Sequence, residues 1–535
     1  MNNQTLKSLT NAHAWIGLII SIVLFVVFFA GSISLFKDNI VAWEKLPVHA
    51  QQINAVQNNE VDYDKVIATI AKNYDVYVDH RFYLLPPNEH SPFIDAYFAK
   101  NIKGLDPKTG EDHTDVHISL DARTGEIIGE AGKFNYGNFV YQLHYNLGLG
   151  RIGVYFVGII TLFFFVAVLS GLVIHWRKLF KNFFQYRKDG NKDKWLDAHN
   201  IIGTMGLPFH VMYAFTGLVF NLVIVYQISY ALVLYQGDQQ KLLAAAGFNE
   251  PHLAITNQTV PITGINELEK IAAKEMGDVP VNRVMIEHFG DESAVAIFQA
   301  QRADKFSTET EAHYQISNQE LIYLTKDNHN NAVRSGLGVI ARLHFGDFAG
   351  YGLRVAFLLM GLATCYVILT GNLMWLDKRA KQRHQSQRSL NFVRRLTSGG
   401  FIGFIFAIAT GFVAARLVPV ELSSRSELIE NTVFISFFVL LVLAQFINNQ
   451  VKFSEYALQL SGGLFAFVIL LDWTLLASGT RNIIAYGNFD ILITELLLLL
   501  LALICFFAAN KVAKKHTVKK TETSSQSDFS VQVAK

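Results

Sequence analysis

His13 and His199 occupy the same frame, Asn11-Ala-His13-Ala-Trp-Ile-Gly17 and Asp197-Ala-His199-Asn-Ile-Ile-Gly203. Each opens a long apolar run and stands 18 residues before a glycine, Gly31 and Gly217. A second pair, Leu143-His144 and Leu343-His344, places each histidine 27 residues before Gly171 and Gly371. The two pairs repeat at offsets of 186 and 200 residues. The chain therefore contains two copies of one unit: helix, outer segment, helix. Ionisable residues at membrane-spanning positions are costly and mark function by default. A duplicated set of imidazoles in a helical bundle points to metal, with haem iron the first choice.

The apolar runs fix the class. Of 535 residues, 51% are hydrophobic and 42 are Phe. Eight runs are long enough for a hydrocarbon core of ~30 Å: about 14–36, 152–175, 200–225, 352–376, 400–418, 431–449, 456–476 and 490–509. The expected fold is a polytopic α-helical membrane protein of about eight transmembrane helices, with two small α+β domains inserted in the repeated unit. The first run continues to Phe36 without a small-residue cleavage site and is read as a retained helix. Residues 177–194 and 377–395 each hold seven Lys or Arg, and the tail beyond Asn510 is Lys-rich. The positive-inside rule puts these segments in the cytoplasm, with both termini inside. Net charge is +2, so no basic footprint speaks for nucleic acid. The two cysteines, Cys365 and Cys505, fall inside spans, and Cys-x-x-Cys-His is absent, which excludes covalent c-type haem.

The resulting domain plan is TM1 (1–36), outer domain 1 (37–150), TM2 with a basic loop and TM3 (151–236), outer domain 2 (237–350), TM4 with a basic loop (351–399), a four-helix module (400–510) and a polar tail (511–535). In the first outer domain, Asp62–Tyr74 has helical spacing. Arg81–Leu85, Phe93–Ala99 and His117–Leu120 read as strands, and Asp121-Ala-Arg-Thr-Gly125 as a hairpin turn. The second repeats this weakly, with a helix over Ile265–Met276, strands at Arg283–Glu287, Val295–Gln301 and His313–Ile316, and a hairpin at Asn318–Thr325. Each domain is small for independent stability.

These hairpins, bracketed by His-led helices, together with Asp197-Ala-His199-Asn200, Gly206-Leu-Pro-Phe-His210 and Gly171-Leu-Val-Ile-His175, resemble the PepSY-associated transmembrane proteins, long-chain subgroup. The resemblance covers roughly residues 5–380 and leaves out 400–510. It implies an inner-membrane haem protein, in some cases linked to reducing iron in siderophores taken into the periplasm.

Depth arithmetic sorts the histidines. At 1.5 Å per residue, His13 lies roughly 27 Å from Gly31, near the cytoplasmic face, with His199 equivalent and His175 beside the basic loop. His144 and His344 fall on the outer side. From His144 to His175 is roughly 46 Å of helix, too long for the bilayer, so Gly148, Gly150 and Gly153 are expected to break it and leave His144 on a short interfacial helix. Gly346, Gly350 and Gly352 do the same for His344. His210 has no duplicate, its counterpart being Leu24. It lies 11 residues past His199, within about 20° of the same face and about 16 Å deeper on a straight helix, and Pro208 is placed to bend that stripe. The candidate haem ligands are thus His13, His144, His199 and His344, with His175 and His210 as rivals. They serve two haem b groups, or up to three. Each helix glycine fits either close packing or room for a flat macrocycle. Arg151, Arg342 and Arg354 are candidates for haem propionates or an anionic substrate, against interfacial snorkelling.

The cytoplasmic loops are too short for a flavin or nicotinamide domain, and no Gly-x-Gly-x-x-Gly follows a strand. The electron donor is then a quinol or a separate reductase, and the acceptor a ferric siderophore or another periplasmic oxidant. Two other classes stand beside this one: a siderophore or metal transporter, suggested by the internal repeat, and a regulatory binding protein built on the outer domains. The last four spans carry no histidine and no chemistry the sequence assigns.

Overall fold

The computed structural model describes residues 2–49, 61–88, 90–105, 110–176, 191–301, 309–325, 331–382, 386–475 and 489–533. The chain divides into two compact units, a helical one (1–44, 136–222 and 352–535) and a mixed one (45–135 and 223–351).

The helical unit holds α1 (Asn3–Ser34), most of α2 (Lys37–His49), α4 (Tyr136–Tyr145), α5 (Gly150–His175), α6 (Asn191–Met205), α7 (Leu207–Asn221) and α12 (Gly350–Ala380). It also holds α13 (Gln387–Leu417), α14 (Arg425–Phe446), α15 (Gln450–Leu475) and α16 (Phe489–Val533). Seven of these are long and apolar enough to cross a membrane, or eight if α6 and α7 count as one bent span. The chain is a multi-pass membrane protein. The lipid-facing surface follows from composition, with Ile152, Ile159, Phe163, Leu359, Phe438 and Leu499 among the exposed apolar side chains.

The breaks fall where glycine and proline sit. Between α4 and α5 the chain takes a left-handed conformation at Gly148 (φ 72°) and Gly150 (φ 57°), which glycine adopts without a Cβ penalty. The short helix expected to carry His144 is therefore present. The second copy repeats it: α11 (Ala332–Phe345) carries His344 and stops at Gly346 (φ 64°), and α12 starts at Gly350 (φ 63°). The third span is broken. Gly206 ends α6, Leu207-Pro208 opens α7, and the two axes differ by 67°. Pro208 in the first turn of α7 needs no backbone hydrogen bond there, which makes it a natural start for a second helix. This break corrects the stripe proposed for His199 and His210, because that arithmetic needs one straight helix.

The mixed unit corrects the picture of two separate small domains. Its strands are β1 (Phe82–Leu85), β2 (Ile94–Asn101), β3 (His113–Leu120), β4 (Ile127–Glu130), β5 (Val281–Glu287), β6 (Val295–Gln301), β7 (Glu309–Gln315) and β8 (Glu320–Thr325). They form one antiparallel eight-stranded sheet in the order β4-β3-β2-β1-β5-β6-β7-β8. The two halves join through β1 and β5, with Tyr83 opposite Met285. Helices α3 (Tyr63–Asn73) and α10 (Ile265–Glu275) share one core with both halves, including Ile67, Phe82, Leu84, Leu268, Ile286 and Phe298. Their N-termini cap each other. Asp64 accepts the backbone N–H groups of Ile265 (2.9 Å) and Asn266 (3.2 Å), while Asn266 accepts that of Tyr63 (2.7 Å). A half too small to bury its own sheet edge thus covers that edge with its duplicate. Helices α8 (Val223–Tyr235) and α9 (Gln239–Ala245) belong to this unit as well, although the sequence reading ended TM3 at residue 236.

Candidate functional site

Two histidines from the two copies of the unit meet. His13 on α1 and His199 on α6 have ring centroids 6.3 Å apart with planes at 87°. Each is held from behind in the same way. His13 Nδ1 lies 3.1 Å from the Ala167 carbonyl and 3.0 Å from Ser170 Oγ, both on α5. His199 Nδ1 lies 3.0 Å from the Val367 carbonyl and 3.2 Å from Thr370 Oγ1, both on α12. Ala167 and Val367, like Ser170 and Thr370, are 200 residues apart, so the duplication extends to the second layer of contacts.

Those contacts fix the tautomer. Ser170 donates its hydroxyl proton to the Ala167 carbonyl (3.0 Å), and Thr370 donates to Val367 (2.8 Å). Each hydroxyl and carbonyl is then an acceptor towards the imidazole, so Nδ1 carries the proton in both rings. The Nε2 lone pairs are left for another partner, and no described residue hydrogen-bonds to either. Gly171 and Gly371 let the rings lie against α5 and α12: a Cβ there would stand 3.3 Å from His13 Cε1 and 3.5 Å from His199 Cε1. One turn beyond each histidine, Gly17 and Gly203 border open space, with no atom within 4 Å of a Cβ built at either. The first pair of glycines serves packing; the second leaves room.

His175 ends α5 within electrostatic range of both rings. His210 is different. Its Nε2 lies 2.9 Å from Thr364 Oγ1, which donates its own proton to the Met360 carbonyl (2.8 Å). The His210 ring also hydrogen-bonds the Gly203 backbone, and it packs with Cε1 against Gly206. The structure brings His210 within electrostatic range of His199.

His144 on α4 lies against Gly31 of α1, where a Cβ would come within 2.5 Å of Nδ1. Nδ1 donates to the Val27 carbonyl at 2.8 Å, which again places the lone pair on Nε2. The second copy departs here. Gly217, the counterpart of Gly31, faces the Thr161 side chain. His344 closes α11 in the mixed unit, edge-on to Phe345. Of the arginines, Arg342 is buried with Nε 3.4 Å from Asp347, Arg151 is exposed at the start of α5, and Arg354 is half-buried in α12. The basic run from Arg177 to Lys188 lies outside the described residues.

The sequence reading missed Ser170 and Thr370, although their shared 200-residue offset was available as a signal. Of a buried ionic cluster around the last four helices, the sequence marked the acidic positions Asp472, Asp490 and Glu495 but not their partners. Arg416 Nε pairs with Asp472 at 2.5 Å, with its guanidinium 3.9 Å from the Trp43 ring, and Trp43 Nε1 donates to Asp472 (2.6 Å). Arg425 pairs with Glu44, which also accepts the Tyr136 backbone N–H at 2.9 Å. No periodicity signals such pairs, because each partner lies on a different helix.

A multi-pass helical membrane protein with a duplicated, His-bearing unit is the class these features define. The family model for the PepSY-associated TM region matches residues 10–378, and the chain belongs to that family. It is 24% identical over 297 residues to the uncharacterized protein PA4219 of Pseudomonas aeruginosa, an alignment covering 53% of this chain and 74% of that protein.

Proposed function

We propose that this protein is a haem b electron-transfer protein of the bacterial inner membrane, working as a reductase of ferric siderophores. The observation that carries the reading is the His13–His199 pair, two imidazoles on facing helices with Nδ1 protonated and Nε2 available. Metal-ligating histidines are ordinarily oriented through the other ring nitrogen in this way. With ring centroids 6.3 Å apart, the two imidazoles would hold one metal ion between them. The open space at Gly17 and Gly203 fits a flat macrocycle. His144 supplies a further candidate ligand with the same tautomer.

The bound haem would supply one-electron redox chemistry. The chain's own residues do the rest. Ser170, Thr370 and the carbonyls of Ala167, Val367 and Val27 hold the imidazoles in one orientation. The apolar helices exclude water. Orientation in the membrane, with both termini inside, follows from the lysine and arginine distribution.

The test is a visible spectrum of the detergent-purified protein from haem-replete cells, with acid–acetone extraction of the pigment. The reading expects an intense Soret band, sharp reduced α and β bands, and oxidation of the reduced protein by ferric siderophore with ferrous iron trapped by a chelator. A colourless protein that takes up no added haemin overturns it. The break between α6 and α7 favours a second reading, transport of a siderophore or metal, because discontinuous helices line many transporter sites. Uptake of labelled siderophore into proteoliposomes that lack any reductant would favour transport.

A further inference from the structure

The helices outside the family match contain a polar site that the haem reading leaves unused. At the end of α13–α16 opposite the Lys-rich tail, Arg416, Asp472, Asp490 and Glu495 are all buried. Arg416 and Asp472 neutralise each other. Glu495, on α16, is only 8% exposed, and its Oε1 has no hydrogen-bond partner. Arg416 Nη1 is likewise buried without a partner, and the two side chains lie within electrostatic range of each other and of Asp472. A buried orphan donor and a buried orphan acceptor in one cluster each carry an uncompensated desolvation cost. A single ligand group that accepts from one and donates to the other removes both costs. The surroundings select the kind of ligand. Leu492 and Leu496, the neighbours of Glu495 on α16, are exposed on the lipid-facing surface at 40% and 55%, and Trp473 at 56%. A molecule reaching Glu495 from this side comes through the bilayer, so it has an apolar body and a polar head.

We propose that this site binds the head of a membrane quinol, with Arg416 Nη1 donating to a ring oxygen and Glu495 accepting the proton of a ring hydroxyl. The proposal rests on the haem reading for its electron acceptor. Oxidising one quinol breaks its two O–H bonds and forms the two C=O bonds of the quinone, releasing two protons and two electrons. Glu495 takes the first proton and water at the membrane edge takes the second. The two electrons would pass, one each, to the two haem groups that the haem reading places in the chain. Tyr136 ties this cluster to the haem side: its backbone N–H binds Glu44, its hydroxyl donates to the Ile408 carbonyl at 2.7 Å, and it shares α4 with His144.

The experiment has a binding arm and a redox arm, both on the full chain in nanodiscs. In the first, a short-chain azido-ubiquinone is photolysed and the labelled peptides are mapped. Labelling should concentrate within 463–475 and 489–500 and be competed by decylubiquinone. In the second, decylubiquinol reduces the haem anaerobically. Glu495→Gln, which preserves shape, should slow this reduction at least tenfold, while haem content and reduction by dithionite match the native chain. Labelling elsewhere or none, or an E495Q variant reduced by quinol at the native rate, overturns the proposal, and leaves Arg416 and Glu495 hydrated by water alone. Arg416→Lys, which keeps the charge but loses the fork, provides a second variant and should weaken labelling. The binding arm needs no haem. Labelling at this site in a chain that proves haem-free would refute the haem reading and leave the quinol site standing.

Discussion

His13 and His199 lie 186 residues apart in sequence, yet their rings stand 6.3 Å centroid to centroid and perpendicular. Each turns its Nδ1 proton to a carbonyl and a hydroxyl that are themselves 200 residues apart. The repeat supplies the two halves, and their packing brings two equivalent imidazoles together.

If these imidazoles hold a metal, the groups behind them matter almost as much as the rings. His13→Ala or His199→Ala should remove one haem per chain, read by pyridine haemochrome stoichiometry. Ser170→Ala combined with Thr370→Val leaves the carbonyls but removes two acceptors, and should weaken haem binding roughly 10-fold, within the range found for such partners. Haem affinity unchanged in the double variant would make the hydroxyls bystanders.

The open space beside Gly17 and Gly203 gives a sharper test, because it separates stability from cofactor binding. A leucine at either position meets no protein atom at its Cβ. Gly17→Leu and Gly203→Leu should therefore leave the melting temperature of the haem-free protein near the native value and abolish haemin uptake. Gly31→Leu should instead disturb the fold itself, since its Cβ would press on the His144 ring. Equal haem binding in G17L and native protein would show that the space has another use.

Arg425 and Glu44 are almost fully buried and paired. Removing one partner strands a charge in low dielectric, so Arg425→Met should destabilise the protein by about 3–5 kcal/mol. Adding Glu44→Gln should recover most of that loss. Denaturant unfolding in detergent, followed by Trp fluorescence, measures both.

In the outer sheet, burial pushes the Glu311 carboxyl up. His313, Arg334 at 3.0 Å and Gln299 at 2.6 Å outweigh it and hold the pKa at about 2. A depressed carboxylate stabilises the fold above its unfolded value near 4.5, and that contribution disappears as pH falls through 2. The window is worth about 3 kcal/mol. Hydrogen exchange in β7 and β8 of the full chain should accelerate as pH is lowered from about 4.5 towards 2, after correction for intrinsic rates. Glu311→Gln should flatten that dependence. A native chain whose protection in β7 and β8 does not change over this range would contradict the assignment.

Membrane orientation is open to labelling. A cysteine at Asn257 should react with an impermeant maleimide from outside sealed cells, and one at Lys192 only after the cells are opened, if the lysine-rich loops are cytoplasmic. The reverse pattern would turn the protein over.

The sequence by itself determined the elements. Long apolar runs must be membrane helices because the bilayer leaves backbone groups no other partner. Glycines with positive φ stopped the helices after His144 and after His344, and apolar patterning marked the strands of both outer segments, although β3 and β7 each begin four residues earlier than read. These are local signals, set by each residue's own conformational limits. The candidate ligands His13 and His199 were legible because duplication repeats a frame. The tertiary structure alone decided partnership. Only packing fused two four-stranded halves through β1 and β5 and let Asp64 and Asn266 cap each other's helices. Only packing set His210 beside the Thr364 hydroxyl, paired Arg416 with Asp472, and left Glu495 with an open oxygen. Such contacts join residues tens to hundreds of positions apart. Their energy depends on burial and hydrogen-bond geometry, and neither exists until the helices have met.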